Sequence, residues 1–202
     1  RLHTAYSFAM LGDRPTPLSI SRHMTDWQTG RAADAWPSWA FSNHDVPRVA
    51  SRWGGDRGGG FAFAGAGAGA CATGGSPALW LTLLLALRGT VFLYQGEELG
   101  LSQAEVAFEH LQDPYGRANW PTHKGRDGCR TPMPWLAGHA TGGFSSGSPW
   151  LPSDATQRAL AVDVQQADAA STLQVARRLI ALRQTHPALR LGRLATLRAE
   201  AD

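Results

Sequence analysis

The sequence has few charged residues, few cysteines and no long apolar run. Charged residues make up 17% of its 202 positions and the net charge is +3, without the stripe of Lys and Arg that nucleic-acid binding needs. The two cysteines exclude a disulfide framework and favour a reducing compartment, which predicts a cytoplasmic protein. The longest apolar run, residues 77–87, is too short to span a bilayer. These features predict neither a nucleic-acid nor a membrane partner, and they leave the oligomeric state open.

What is present indicates a globular protein with a substantial core. Hydrophobic residues make up 43% of the sequence, which argues against disorder. Eight tryptophans supply flat apolar surfaces that suit either sugar binding or core packing. The chain opens at Arg1 directly into a strand pattern, and another strand pattern begins at residues 194–198, just before the chain closes at Asp202. We therefore interpret it as an interior segment of a longer protein.

The pattern of elements predicts an α/β architecture. Strand-like segments lie at residues 2–8, 38–43 and 90–95, and helical patterns separate them. One helix is predicted from Pro77, with Ser76 as its N-cap, and Gly89 stops it. Another is predicted to begin at Ser171 or Thr172 and to end at Pro187. The Gly/Ala-rich stretch between residues 54 and 75 lacks the strand and acidic residue of a dinucleotide site and is predicted to be a surface insertion.

The most informative candidate site follows the second predicted strand. Asn43, His44 and Asp45 come at its carboxyl end, and Pro47 prevents the strand from continuing. Parallel α/β barrels build their active sites from side chains at such strand ends. The same residue types are also common in polar turns, so these residues alone leave both interpretations open.

A second candidate cluster lies in the long loop region after the third predicted strand. Arg126 and Arg130 are four residues apart and flank Asp127. A guanidinium group can hold carboxylates or vicinal hydroxyls in a fixed geometry, which suits polyol recognition. Alternatively, the arginines pair with Asp127 and hold the loop together. We favour a functional role for Arg126 and a structural one for Arg130.

Three segments, in this order, resemble motifs of the α-amylase superfamily, glycoside hydrolase family 13. They are FSNHDVPR at residues 41–48, GTVFLYQGEELG at 89–100 and GRDGCRTPMPW at 125–135. The third motif, together with DPYG at 113–116 and GFSSGSPW at 143–150, is similar to bacterial α-glucosidases of the oligo-1,6-glucosidase type. The resemblance extends from about residue 2 to residue 190 and is interrupted by the Gly/Ala-rich stretch.

The resemblance implies an α/β fold, namely a (β/α)8 TIM barrel followed by a small β-sandwich domain. Residues 1–190 would then form the C-terminal part of the catalytic barrel, with strands six to eight, the last helix and the insertion at about 54–75. Residues 191–202 would begin a C-terminal β domain. The expected architecture of this segment is therefore an incomplete barrel.

The resemblance also implies retaining hydrolysis, or glucosyl transfer, of terminal α-linked glucose from oligosaccharides. Retention needs an aspartate nucleophile and a glutamic acid, which lie upstream of Arg1 in the family pattern. Asp45 matches the family's third carboxylate, which binds sugar hydroxyls and stabilises the oxocarbenium-like transition state. His44 matches a histidine that donates to the same hydroxyls. Arg126 matches an arginine that closes the end of the pocket.

Other polar residues of these motifs are expected to support the site or the fold. They are Asn43, Arg48, Glu97, Glu98, Asp113 and Arg130. The remaining histidines show no paired ligand spacing, so we predict no metal and no cofactor. An alternative to the enzyme is a catalytically silent barrel that serves as an interaction subunit. The intact Asn43-His44-Asp45 run and Arg126 favour the enzyme.

Overall fold

The structure, a computed structural model, describes residues 3–12, 16–28, 36–54 and 76–192. In these residues two short parallel strands form a sheet. Strand β1 is Ser38–Ala40 and strand β2 is Thr90–Phe92. Trp39 lies opposite Val91 in a parallel register. Helices α2 (Val49–Gly54) and α3 (Pro77–Ala86) lie between the strands in sequence, so the predicted strand–helix–strand alternation is confirmed here.

The strand predicted at residues 2–8 is not found among the residues described there. Residues 3–8 run beside β1 and the segment before it, where the backbone N of Trp36 donates to the carbonyl oxygen of His3 at 2.7 Å. Opposite β1 itself, however, the Ser38 hydroxyl makes the contact. This hydroxyl donates to the carbonyl oxygen of Ala5 and accepts from the backbone N of Ser7 at 3.0 Å. Because a side chain supplies these bonds, a regular backbone ladder does not form. The predicted strands 38–43 and 90–95 are also shorter than expected.

Helix α3 begins as the sequence predicts. The Ser76 hydroxyl accepts from the backbone N of Ala78, and proline occupies the first helical position. The helix ends at Ala86, three residues before the predicted stop at Gly89. Gly89 has φ +113°, and a Cβ on it would lie 2.3 Å from the carbonyl oxygen of Pro37. Glycine is therefore required at this position, because the segments that lead into β1 and β2 approach each other too closely for a side chain.

Helix α7 (Thr172–Thr185) packs against α3 and has the predicted cap. The Ser171 hydroxyl, one of the two predicted caps, accepts from the backbone N of Gln174. The helix ends at Thr185, two residues before the predicted stop at Pro187, where the next helix, α8 (Pro187–Leu191), begins. The buried Arg183 of α7 donates to carbonyl oxygens at and just after the end of α3 and to one in α8. Its partners are Leu85 and Leu87 at 2.7 Å, Gly89, and Leu189 at 2.9 Å.

The main apolar core lies between the sheet and the flanking helices. Its buried members are Met10, Trp39, Phe41, Val49, Trp53, Leu84 and Leu87. Helix α1 (Pro17–Gln28) packs against this core through Ile20, Met24 and Trp27. No helix in the described part of the chain combines the length and apolarity needed to cross a bilayer.

The region between β2 and α7 consists of short helices and loops. Three are 3₁₀ turns, at Glu97–Leu99, Phe108–His110 and Asp127–Cys129. Three are short α-helices: α4 (Pro114–Ala118), α5 (Ala155–Arg158) and α6 (Val162–Ala167). This composition agrees with the sequence, which is rich in Gly, Pro and Trp here.

Two sequence predictions fall mostly outside the described residues. Of the predicted insertion at 54–75, only Gly54 is described, and it is the last residue of α2. Of the predicted β domain at 191–202, residues 191 and 192 are described, and Leu191 is the last residue of α8. The predicted strand at 194–198 lies outside the described residues.

Candidate active site

The turn after β1 presents His44 and Asp45 to solvent. The buried Asn43 shapes this turn, because its side-chain Oδ1 accepts from the backbone N of Asp45 at 2.8 Å and of Val46 at 3.2 Å. The Ser42 hydroxyl accepts from the backbone N of Val49 at 2.8 Å and so ties the turn to α2. The backbone that carries Asp45 is therefore held on both sides.

Arg48 lies buried beneath this turn and connects it with the segment after β2. Its guanidinium donates to the carbonyl oxygens of Gln95 and Cys129, the latter at 3.1 Å, and its backbone N donates to the side chain of Gln103 at 3.1 Å. Burial lowers the pKa of Arg48 from its ordinary value. The contacts fit the supporting role expected for this residue.

Two arginines contact the same oxygen of Asp45. Arg126 Nη1 lies 3.1 Å and Arg130 Nη2 lies 3.2 Å from Asp45 Oδ1. His44 Nε2 lies 3.4 Å from the other oxygen, Oδ2. Arg130 also donates through Nε to the carbonyl oxygen of His44 at 2.8 Å. The structure thus brings together Asp45, His44 and Arg126, the three residues that the sequence selected.

Arg130 joins this cluster, although the sequence favoured a purely structural role for it. Its side chain lies 21% exposed, beside an Asp45 side chain that is 45% exposed, so both can be reached from solvent. The separation of 85 residues between the two explains why local sequence patterns did not show the contact. The four-residue spacing of Arg126 and Arg130 could have indicated that Arg130 belongs to the site, because the two arginines flank one short turn.

The partner of Arg126 within the loop is Asp113, not Asp127. The backbone N and Nε of Arg126 donate to Asp113 Oδ2 at 2.8 and 2.9 Å, and Nη2 donates to Oδ1 at 3.0 Å. This hydrogen bonding holds the pKa of the Asp113 carboxyl well below its usual range. It also raises the pKa of Arg126, with a smaller contribution from Asp45. Both groups are therefore charged at neutral pH.

Glu97 and Glu98 lie in the turn after β2, below the Asp45 cluster. Glu97 is buried, and its Oε2 accepts from the backbone N of Tyr94 at 3.0 Å. Burial raises the pKa of Glu97 to about 7. Glu98 Oε2 accepts from the backbone N of Gly96 at 2.8 Å, and burial raises its pKa as well. These contacts stabilise the turn and fit the supporting role expected for both residues.

An aromatic cleft of about 510 Å³ adjoins the cluster on the Arg130 side. Trp135, Phe144 and Trp150 line it and are each about half exposed or more. Gln95, Glu98 and Arg130 supply its polar groups. Such a surface is suited to stacking against the apolar face of a sugar ring or an aryl group.

Within the described residues there is no group of three or more His, Cys, Asp or Glu side chains that could hold a metal ion. Cys129 is buried with its Sγ 3.0 Å from the carbonyl oxygen of Arg126, and burial raises the pKa of its thiol. The polar groups of the site are therefore a fixed carboxylate, two guanidinium groups and an imidazole. Together they can hold hydroxyl groups and stabilise a positive charge that develops next to Asp45.

Comparison with known proteins identifies the family of the chain. Residues 6–192 match the family model described as "Alpha amylase, catalytic domain". The chain is 45% identical over 195 residues to the "Probable alpha-glucosidase" of Rhizobium meliloti (strain 1021). The matched region covers 96% of this chain and 33% of that protein. It is 29% identical over 198 residues to the oligo-1,6-glucosidase of Parageobacillus thermoglucosidasius, and this match covers 89% of this chain and 33% of that protein.

Among solved structures, the alpha-glucosyl transfer enzyme XgtA superposes with a TM-score of 0.79 at 49% sequence identity. The match covers 94% of this chain and 32% of that one. The chain thus spans about a third of the length of the relatives it matches. Because the family model matches nearly all of its residues, the chain belongs to the α-amylase family, glycoside hydrolase family 13, whose catalytic domain is a (β/α)8 barrel.

Proposed function

We propose that the whole protein is a retaining α-glucosidase that hydrolyses, or transfers to an acceptor, the terminal α-linked glucose of oligosaccharides. Relatives named alpha-glucosidase, oligo-1,6-glucosidase and alpha-glucosyl transfer enzyme support this substrate class. The observation that carries the proposal is the geometry at Asp45. Two arginines fix one oxygen of its exposed carboxylate, and the second oxygen lies beside His44.

In this proposal Asp45 acts on the sugar ring in the cleavage site. Its carboxylate accepts from ring hydroxyls and stabilises the positive charge that develops at the anomeric carbon. A charge held in place before the reaction stabilises the transition state more than one that must reorient. The two arginines supply that restraint, since each contacts Asp45 Oδ1 at close to 3 Å.

His44 and Arg126 would hold the terminal glucose and limit the depth of the pocket. His44 is exposed and can donate to a sugar hydroxyl from the same side as Asp45. Arg126 is fixed by Asp113 and would close the end of the pocket, so that one terminal glucose is accepted. Retention further requires an aspartate nucleophile and a glutamic acid, which we propose lie outside this segment.

The stereochemistry of the first product tests this function. The full-length protein would be incubated with an aryl α-glucoside and with maltose and isomaltose, and the anomer first released would be followed by proton NMR. We expect α-glucose first, and glucosylated acceptor when acceptor sugar is in excess. Release of β-glucose first would contradict retention. A folded full-length protein without turnover on any of the three would instead favour the catalytically silent barrel.

A further inference from the structure

Arg126 connects two carboxylates that lie on opposite sides of its guanidinium. Its backbone N, Nε and Nη2 all donate to Asp113, at 2.8, 2.9 and 3.0 Å. The remaining Nη1 donates to Asp45 at 3.1 Å. A two-pronged contact with a carboxylate fixes the plane of a guanidinium group, whereas a single contact does not. The orientation of Arg126 is therefore set by Asp113.

The two carboxylates differ in their exposure to solvent. The Asp113 side chain is 0% exposed, whereas Arg126 and Asp45 are 42% and 45% exposed. A ligand bound at Asp45 can reach Arg126 but not Asp113. Hydrogen bonding with Arg126 holds the pKa of Asp113 below its usual range, so Asp113 carries its negative charge throughout the neutral range. Asp113 can thus act on a ligand only through Arg126.

Asp113 is itself held in place by the turn that carries Arg126. Its backbone N donates to Asp127 Oδ2 at 2.8 Å, while its own carboxylate accepts from the backbone N of Arg126. Gly125 has φ +72°, and a Cβ on it would lie 2.9 Å from Asp113 Oδ2. The two segments therefore fit together only with glycine at this position.

The charges of the cluster balance only when Asp113 is counted. Arg126 and Arg130 carry two positive charges, and Asp45 and Asp113 carry two negative ones. Without Asp113, one carboxylate would face two guanidinium groups, and the cluster would have a net positive charge. Such a charge opposes the positive charge that a glycosyl transition state develops.

We infer that Asp113 is a positioning residue of the active site, one that aims Arg126 at Asp45 and offsets its charge. This inference rests on the proposed glucosidase function. Asp113 does not touch the sugar, and its effect on the reaction passes through Arg126. Its removal is therefore expected to affect the transition state more than substrate binding.

Steady-state kinetics of full-length variants test the inference. Asp113→Asn keeps the shape of the side chain but removes the charge and one acceptor. We expect kcat/KM for an aryl α-glucoside to fall by about 10-fold to 100-fold, with most of the loss in kcat, since misplacing a preorganised group costs up to about that much. Asp163→Asn is the matched control, because Asp163 also accepts backbone N–H groups in this loop region but contacts neither arginine. It should change kcat/KM less than twofold.

A double-mutant cycle separates positioning from general support of the fold. If Asp113 acts through Arg126, Asp113→Asn should change kcat/KM less than twofold when Arg126→Gln is already present. An equal loss in both backgrounds would overturn the inference, as would an unchanged kcat in the single variant. Thermal melts of each variant establish that the compared proteins are folded.

A crystal structure of the full-length Asp113→Asn variant tests the positioning without reference to turnover. We expect Arg126 Nη1 to move beyond about 4 Å from Asp45 Oδ1, outside ion-pair range. A distance that stays near 3.1 Å would overturn the inference. If the wild-type protein does not hydrolyse α-glucosides, the proposed function fails, and this distance still decides the positioning role.

Discussion

The fold shifts the ionisation of Glu97 into a pH range where stability measurements can follow it. Its carboxyl lies among apolar side chains, including Phe41, Trp80 and Leu101, and its Oε1 has no hydrogen-bond partner. Burial raises its pKa to about 7, against the opposing effects of hydrogen bonding with Ser42 and the backbone of Tyr94 and of the nearby Arg48. Glu98, the next residue, adds to the increase. The folded protein therefore keeps a proton on Glu97 at pH values where the unfolded chain has lost it.

The stability of the full-length protein should consequently fall as pH rises through about 7. A carboxyl whose pKa is raised by folding contributes fully to stability at pH values below its pKa in the unfolded chain. This contribution is lost as the pH rises through its pKa in the folded protein, here about 7. The loss is on the order of 3 kcal/mol. Glu97→Gln removes the ionisation, so the melting temperature of this variant should decrease less than that of the wild type between pH 5 and pH 8. The exposed Glu109→Gln serves as control, and identical pH profiles for wild type and Glu97→Gln would contradict the prediction.

At the residue scale, sequence patterns located the exposed groups of the site better than their partners. His44 and Asp45 stand out because they follow a strand pattern and precede a proline. The pairing of Asp113 with Arg126 joins residues 13 apart, and that of Arg130 with Asp45 joins residues 85 apart. Such contacts depend on how loops fold over one another, which no local periodicity encodes. The sequence instead suggested Asp127, the nearest carboxylate, as the arginine partner.

At the element scale, the contact between α3 and α7 depends on one buried arginine. Arg183 donates to the carbonyl oxygens of Leu85, Leu87 and Gly89, at and just beyond the end of α3, and to that of Leu189 in α8. Carbonyl groups at the end of a helix have no partner within the helix. The carbonyls are close together, and a planar guanidinium can reach all of them. The end of α3 and the start of β2 are thereby fixed relative to α7.

Arg183→Lys should destabilise the full-length protein by about 2 kcal/mol, because an ammonium group cannot satisfy all four carbonyl oxygens. Denaturant unfolding followed by circular dichroism measures this difference. Arg178→Lys is the control within the same helix, since Arg178 is exposed and donates only to the carbonyl oxygen of Ala169 among the contacts described. Equal stabilities for the two variants would contradict the role assigned to Arg183.

Helix starts were easier to predict than strands. Ser76 and Ser171 each cap a helix at the predicted position, because capping uses residues adjacent in sequence. The segment 3–8 has a strand-like sequence, yet the Ser38 side chain takes the place of backbone hydrogen bonds there. Whether an apolar segment becomes a strand depends on its neighbour, and this information is not local.

At the scale of the whole molecule, the chain spans about a third of its relatives, and its described sheet has two strands. In the described residues, β2 has β1 as its only strand partner, and Phe92 is 43% exposed. Ile180 and Leu182 of α7 are exposed as well. A closed barrel pairs its first strand with its last and leaves no such edge.

The 202 residues alone should therefore fold poorly and show no glycosidase activity. Unpaired strand edges and exposed apolar side chains favour aggregation. In the proposed function Asp45 holds the sugar, while the nucleophile and the acid lie outside this segment. Circular dichroism with a thermal melt and an aryl α-glucoside assay on the purified segment test both points. A cooperative monomeric melt would contradict the first, and turnover that Asp45→Ala abolishes would contradict the second.

The activity of Asp45→Asn in the full-length protein tests the proposed role of Asp45 in the transition state. The substitution keeps the size of the side chain and removes the charge that the two arginines hold in place. We predict that kcat/KM for an aryl α-glucoside falls by about 10²-fold or more, the usual cost of losing one preorganised electrostatic contact to a transition state. Asp154→Asn, at the N-cap of α5, should leave kcat/KM unchanged. A folded Asp45→Asn variant with wild-type kcat/KM would contradict this role.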